Sequence, residues 1–419
     1  MKYVLFFLAV ASSWFFWGCQ KESYITPTDF NDELLGAKSI DNAILKKMEG
    51  VYKAGPDNSV LGKDFVCLAN NDYLTLISNR GGLYAIMQLK LRVSDSSLIG
   101  AGFWRTPNGT SIGAIKLTAP VTWRALANGD FRQVGFMLYH HNSLTNKNLN
   151  ETPIKFERPF SATVLNKDFL IVAHRGGGRN SDNLLQSENS TELIKKAALF
   201  GANGIEIDVK LTKDRIPVLY HDDDLNTRLT KKSPLIGNIN QYTYGVLTQY
   251  VELIHGEKIP KLEDVLTQAI DSTNLKFVWL DIKGDPDIFS DLAPIVLKAY
   301  QLAASKNRKI EILCGLPSLD VYRQFMTFST TLSPNTQLPS LCEIGLEETV
   351  AIKSKVWGPR WTLGYLSDEV AEAQANNISV ITWTLNEESF IKKYIQEANF
   401  NGILSDYPSI VAYYHYIRE

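Results

Sequence analysis

Gly201-Ala202-Asn203-Gly204-Ile205-Glu206-Ile207-Asp208-Val209-Lys210-Leu211-Thr212-Lys213-Asp214 is the stretch on which the fold turns. Gly204 to Val209 reads as a strand. Residues two apart on a strand point the same way, so Glu206 and Asp208 share one face and Ile207 takes the other. Outward from this stretch, strands and helices alternate. Upstream, Phe169 to Ala173 reads as a buried strand and Ser190 to Phe200 as a helix. Downstream, strands are expected at Ile216 to Tyr220, Phe277 to Ile282, Lys309 to Cys314, Leu338 to Glu343, Ser379 to Thr384 and Gly402 to Leu404. Helical spacing marks Leu262 to Ile270, Ile288 to Ala304, Leu319 to Phe328, Asp368 to Asn376, Glu387 to Ala398 and Ile410 to Ile417. The alternation predicts an α/β fold, a (β/α)8 TIM-type barrel over residues 165–419. An open doubly wound sheet is the alternative. No Gly-x-Gly-x-x-Gly follows the first strand, so nothing supports a dinucleotide site.

Charged residues gather where these strands end. His174-Arg175-Gly176 follows the first strand, Glu206 and Asp208 end the second, His221-Asp222 follows the third, and Asp281-x-Lys283 ends the fourth. In a β/α barrel all of these open onto the C-terminal mouth, where catalytic residues collect. Glu206, Asp208 and Asp281 would repel one another there unless a cation sat among them. Oxygen-only ligation suits a hard ion, Mg²⁺ or Ca²⁺. Arg175 and Lys283 add positive charge beside it, which makes an anion site with phosphate as the natural guest. His174 and His221 flank that guest, one to accept a proton from an attacking hydroxyl, the other to protonate the leaving alkoxide.

The ordered set resembles the glycerophosphodiester phosphodiesterase family. Ala173-His174-Arg175-Gly176 is similar to its opening motif, and Glu188-Asn189-Ser190 to its Glu-Asn-Thr helix start. Gly201 to Asp214 resembles its metal motif and Pro217 to Asp222 its second histidine motif. Ile259 to Leu266 resembles the helix after its insertion. Val380 to Asn386 and Gly402 to Pro408 resemble its seventh- and eighth-strand signatures. The resemblance runs from about Phe169 to the C-terminus. It implies that Glu206, Asp208 and Asp281 hold one divalent cation, that His174 and His221 are acid and base, and that Arg175 and Lys283 hold the phosphate. It implies hydrolysis of glycerophosphodiesters to an alcohol and glycerol 3-phosphate, through attack of the neighbouring glycerol hydroxyl and a cyclic phosphate that water opens. Glu188 is either a helix N-terminal acid or a residue that orients the site. Trp383 is either barrel core or an apolar wall against the glycerol, a substrate-binding position.

Two departures from the family pattern stand out. Asp281 replaces the usual Glu, as it also does in the related sphingomyelinase D-type phospholipases. The stretch Gly177 to Ser187 is longer than usual, and Ser187 replaces a proline. A phosphodiesterase or lyase of lysophospholipid or sphingomyelin type is therefore the second reading, and a non-catalytic ligand-binding lipoprotein the third. Asp406 reads as a turn or cap residue, and His255 and His415 as surface residues. Asn189-Ser190-Thr191 matches a glycosylation acceptor by accident.

Ahead of the barrel the sequence changes character. With 419 residues the chain is too long for one core, and a net charge of −2 with both signs interspersed argues against a nucleic-acid partner. Lys2 followed by the apolar Tyr3 to Trp17 reads as an export signal, about 15 residues where a membrane span needs roughly 20. Gly18-Cys19 looks like a lipoprotein cleavage box. Residues 1–18 are then a signal peptide, Cys19 the lipidated residue, and residues 19–38 a tether. An uncleaved signal anchor is the alternative. The expected location is the bacterial cell envelope, lipid-anchored and facing the periplasm or the outer membrane. Residues 39–160 read as an antiparallel β-rich barrel or sandwich of unassigned role, with a helix at Ile40 to Val51 and the interdomain connection at Asn142 to Pro159. His140-His141 reads as a surface or edge pair whose side chains point apart. Cys67 and Cys314 read as small buried residues.

Overall fold

The computed structural model describes residues 26–55, 60–120, 123–128, 135–141, 147–182, 184–333 and 336–419. The expected signal segment and Cys19 lie outside them. Among the described residues no helix is long and apolar enough to cross a membrane.

The first part is an antiparallel sheet of β1 (Lys38–Ser39), β2 (Gly50–Ala54), β3 (Asp64–Asn70), β4 (Tyr73–Ser78), β5 (Tyr84–Arg92), β6 (Ser97–Arg105), β7 (Ile112–Ala119), β8 (Phe136–His141) and β9 (Leu149–Arg158). The order β5-β4-β3-β2-β9-β8-β7-β6 closes on itself where β6 returns to β5, and β1 pairs with β5 from outside. Closure leaves no open edge among the eight strands. Tyr52, Phe65, Trp104, Phe136 and Leu138 fill the interior.

Three expectations are corrected here. Leu149 to Arg158 is a barrel strand between β2 and β8, not a connection; of its ten residues only Thr152 and Ile154 are buried, so it reads as polar. The helix expected from Ile40 to Val51 is cut to Asn42–Leu45 and a 3₁₀ turn at Lys46–Met48, because β2 starts at Gly50. His140 and His141 are both buried. His140 Nε2 meets Thr152 Oγ1 at 3.2 Å, while His141 packs on Phe30 with ring centroids 5.3 Å apart.

The second part is a closed parallel barrel. Its strands are β10 (Leu170–Ala173), β11 (Gly204–Leu211), β15 (Phe277–Ile282), β16 (Glu311–Leu316), β17 (Ser340–Cys342), β18 (Val356–Trp357), β19 (Ser379–Thr382) and β20 (Gly402–Ser405). β10 pairs with both β11 and β20, which shuts the ring. Three short strands lie outside that ring. β12 (Pro217–Leu219) runs antiparallel to β11, and β13 (Asp224–Leu225) pairs with β14 (Gly237–Asn238). Ile216 to Tyr220 is therefore not the third barrel strand, and Asp281 ends the third strand, not the fourth. The missing sixth strand is Val356-Trp357, too short for a hydrophobic period to mark. The helix expected at Ser190 to Phe200 is broken into Thr191–Ile194 and a 3₁₀ turn at Ala197–Phe200.

Alternation sorts the barrel side chains. Val172, Phe277, Trp279, Leu313, Leu341, Val356, Ile381 and Leu404 meet inside. Ile205, Ile207, Val209, Val278 and Leu280 face outward, under the helices at Leu262–Ser272 and Ile288–Ser305. His415, expected at the surface, is buried in the last helix and stacks on Phe169 with ring centroids 4.7 Å apart. Cys67, Cys314 and Cys342 are free and buried.

The two barrels share one apolar seam. Val51, Val66, Ile77, Tyr84 and Ile86 of the first pack with Phe200, Ile410 and Ala412 of the second. Arg105 Nη2 donates to Asp182 O at 2.7 Å, and Thr75 Oγ1 to Leu199 O at 3.0 Å. Gly82, at φ +67°, lies against the backbone of Ile410, where a Cβ would come within 2.7 Å of Ile410 N.

Candidate active site

The carboxylates come together at the C-terminal ends of two adjacent strands. Register pairs Asp208 on β11 with Asp281 on β15, and Glu206 with Trp279. One oxygen each of Glu206, Asp208 and Asp281 lie within 4.8 Å of one another. Glu206 Oε1 and Asp281 Oδ1 are buried with no hydrogen-bond partner. Such oxygens are costly unless something positive meets them, so the donor set fits a hard divalent cation.

Electrostatics divides the two β11 acids. Burial, with Asp208 next, pushes Glu206 up to about 8. Burial acts the same way on Asp208, but Lys283, His221 and Arg175 outweigh it and hold that carboxyl well below the usual range. Lys283 Nζ stands 2.7 Å from Asp208 Oδ1 and 2.5 Å from Asp281 Oδ2. Asn189, at φ +60°, clamps Asp208 from outside. Its Nδ2 donates to Asp208 Oδ2 at 2.6 Å, and its Oδ1 accepts from Asp208 N at 3.1 Å. This buried amide is no glycan acceptor.

Each histidine feels one of the β11 acids, His174 Glu206 and His221 Asp208. His174 opens a 3₁₀ turn after β10; its Nε2 is 3.7 Å from Glu206 Oε2 and its Nδ1 2.5 Å from Asp406 Oδ1. Asp406 follows β20, is almost fully buried, and is itself held by Asn386 and Arg179. The turn-or-cap reading of Asp406 thus missed its main contact. Burial lowers the His174 pKa, but the Asp406 hydrogen bond and Glu206 outweigh it and the net shift is upward. His221 follows the β11–β12 hairpin, with Nδ1 2.6 Å from Asp222 Oδ1. Burial, aided by Arg175 and Lys283, moves His221 downward although Asp208 opposes it.

Arg175 takes φ +50°, an uncommon conformation for a residue with a side chain. Its N–H donates to Glu206 Oε2 at 2.8 Å and its Nη1 to Glu188 Oε1 at 2.7 Å. Glu188 also accepts from Arg228 Nη1 and from Asn180 N at 2.7 Å. Its carboxylate is therefore turned onto two arginines, and Ser190 caps the helix instead. Arg228 bridges Glu188 to Asp222, which joins the two histidine loops. Trp383 packs on the barrel interior, donates from Nε1 to Gly358 O at 2.7 Å, and carries the Arg360 guanidinium 4.8 Å from its ring centre. Sequence reasoning read Asp406 as a turn or cap residue and gave no role in the site to Asn189, Arg228 or Glu343. The Ser405-Asp406-Tyr407-Pro408 signature was a visible signal for one of them.

Residues 174–410, more than half of the chain, match the model of the glycerophosphoryl diester phosphodiesterase family. The chain belongs to this family. The glycerophosphoryl diester phosphodiesterase match begins at His174, so the antiparallel barrel lies outside it. A glycerophosphodiester phosphodiesterase of Caldanaerobacter subterraneus is 26% identical over 247 residues, covering 57% of this chain and 94% of that one. Glycerophosphodiester phosphodiesterase 1 of Rattus norvegicus is 24% identical over 266 residues, 55% of this chain and 75% of the relative. The crystal structure of a glycerophosphodiester phosphodiesterase from Parabacteroides distasonis aligns at a TM-score of 0.45 and 22% identity, over 58% of this chain and 95% of the other.

Proposed function

We propose that this member of the family hydrolyses glycerophosphodiesters to an alcohol and glycerol 3-phosphate by acid–base catalysis between His174 and His221. One observation carries the reading: each histidine is tied through Nδ1 to its own carboxylate, at the rim of the only three-carboxylate cluster among the described residues. Those carboxylates orient the rings and fix which nitrogen is free to face the substrate.

His221, kept neutral, takes the proton from the glycerol hydroxyl that attacks phosphorus. His174, kept protonated by Asp406, gives its proton to the departing alkoxide. The P–O bond to the alcohol breaks as the ring P–O bond forms. For the second step the roles reverse: His174 takes a proton from water and His221 returns one to the glycerol oxygen, leaving glycerol 3-phosphate. Arg175 and Lys283 hold the phosphoryl oxygens. Glu206, Asp208 and Asp281 would hold a divalent cation, Mg²⁺ or Ca²⁺, which would supply positive charge where negative charge develops on those oxygens.

The test is release of glycerol 3-phosphate from glycerophosphocholine and glycerophosphoethanolamine with Mg²⁺, Ca²⁺ or EDTA. Wild type is expected to release it only with metal, and His174→Ala and Asp281→Ala are expected to lose it. Asp281 at the third ligand position favours a second reading, a lysophospholipid or sphingomyelin diester. Turnover of those lipids with none of the water-soluble diesters would decide for it.

We also propose that Cys19 is lipidated and holds the protein in the cell envelope, with residues 39–160 as an accessory domain. The support is the apolar run before Gly18-Cys19. Cys19→Ala is expected to move the protein from the membrane fraction to the soluble one, and unchanged fractionation would count against lipidation.

A further inference from the structure

Glu343 is an acid in the barrel mouth that the mechanism above leaves unused. It follows β17 (Ser340–Cys342) on the fifth barrel strand, with its N–H donating to Leu316 O at 3.2 Å. Leu341, two residues earlier, is an interior residue, so the alternation of the strand carries Glu343 to the inner face one layer higher. The neighbouring strands make room. β16 brings Gly315 and β18 leads to Gly358, and a Cβ on Gly358 would come within 3.4 Å of Glu343 Cγ.

An acid in this place needs a partner. Glu343 Oε1 is enclosed and has no hydrogen-bond partner, the same condition as Glu206 Oε1 and Asp281 Oδ1. Burial, then the charges of Asp281 and Glu206, hold its carboxyl well above the usual range, with Lys283 and the indole N–H of Trp279 opposing. Glu343 thus feels two of the three triad acids and shares their deficit of positive charge.

We propose that Glu343 is a further acidic group for the cation, reaching it through a bound water and completing from the fifth strand the support that the short Asp281 side chain leaves incomplete. The inference rests on the triad being a cation site. Glu343 stands outside the cluster of oxygens within 4.8 Å, which is the place of a group that acts on a metal-bound water. A hard cation keeps several waters when few carboxylates reach it, and each such water needs an acceptor.

The test is direct binding of Ca²⁺ and Mg²⁺ to the detergent-solubilised full chain by titration calorimetry, with no substrate present. Glu343→Gln keeps shape and removes the charge that the carboxyl would take on beside a cation. It is expected to weaken cation binding about 10- to 100-fold, the usual cost of losing an outer-shell partner. Thermal unfolding in EDTA checks that the variant is folded. Glu343→Asp, which keeps the charge, is expected to lose less, so a fold defect in one variant does not leave the proposal unexamined. Unchanged affinity in Glu343→Gln, with wild type binding, overturns the role of Glu343 alone. No binding of either cation by wild type overturns the triad as a cation site and this inference with it.

Discussion

His174 and Asp406 are 232 residues apart in sequence, and their Nδ1 and Oδ1 atoms are 2.5 Å apart in the fold. The closing pair of the barrel, β10 with β20, places them side by side. Asp406 stabilises the protonated ring and leaves Nε2 directed away from it. Asp406→Asn is therefore expected to lower kcat by about 10²-fold with a smaller change in KM. An unaltered kcat would show that the contact is structural only.

Activity should follow a bell in pH. The proposed mechanism requires neutral His221, whose pKa is lowered, and protonated His174, whose pKa is raised. Activity then rises with pH as His221 loses its proton and falls again as His174 does. Asp406→Asn removes a contact that raises the His174 pKa, so the alkaline limb is expected to move to lower pH. A pH profile of kcat for the two proteins checks this, and movement of the acidic limb instead would reverse the assignment of acid and base.

Chelation is expected to cost at least about 10³-fold in turnover, because the positive charge beside the phosphoryl oxygens is worth several kcal/mol. Readdition of Mg²⁺ or Ca²⁺ restores it. Full activity after exhaustive EDTA treatment would sink the cation reading.

Glu188 is buried and supports Arg175 and Arg228 at once. Glu188→Ala leaves Arg175 buried beside an empty position, and removing one partner of such a pair costs about 3–5 kcal/mol. Denaturant unfolding should show that loss. A change within about 0.5 kcal/mol would place Glu188 among ordinary surface acids.

His415 supplies a stability prediction. Burial, with Arg418 and Lys167, pushes it from the ordinary 6.5 down to about 3. The folded chain keeps it neutral, whereas the unfolded chain takes up a proton near pH 6.5. Its contribution is whole above that pH and is lost as pH falls from there toward 3. Wild type should thus lose more Tm between neutral pH and about pH 5 than His415→Phe, which cannot protonate. Equal losses would show that another group sets the acid limb.

What the sequence determined by itself is the local part. Strand period and strand–helix alternation act over a few residues, so they assign Glu206 and Asp208 to one face and deliver His174, Arg175, Asp281 and Lys283 to strand ends. They also disclose the family through motifs in order. What the tertiary structure decided depends on closure and burial, which no local period encodes. Ile216 to Tyr220 has the composition of a barrel strand but folds back against β11, while the two-residue Val356-Trp357 enters the ring because β17 and β19 flank it. His140, His141 and His415 look like surface residues until the surrounding strands and helices cover them. Asp406 and Glu343 acquire meaning only when the first, third, fifth and eighth strands converge on one mouth. There the low dielectric and the crowd of like charges turn Asp406 into the partner of a histidine and make Glu343 the acid that the proposed cation site would draw on.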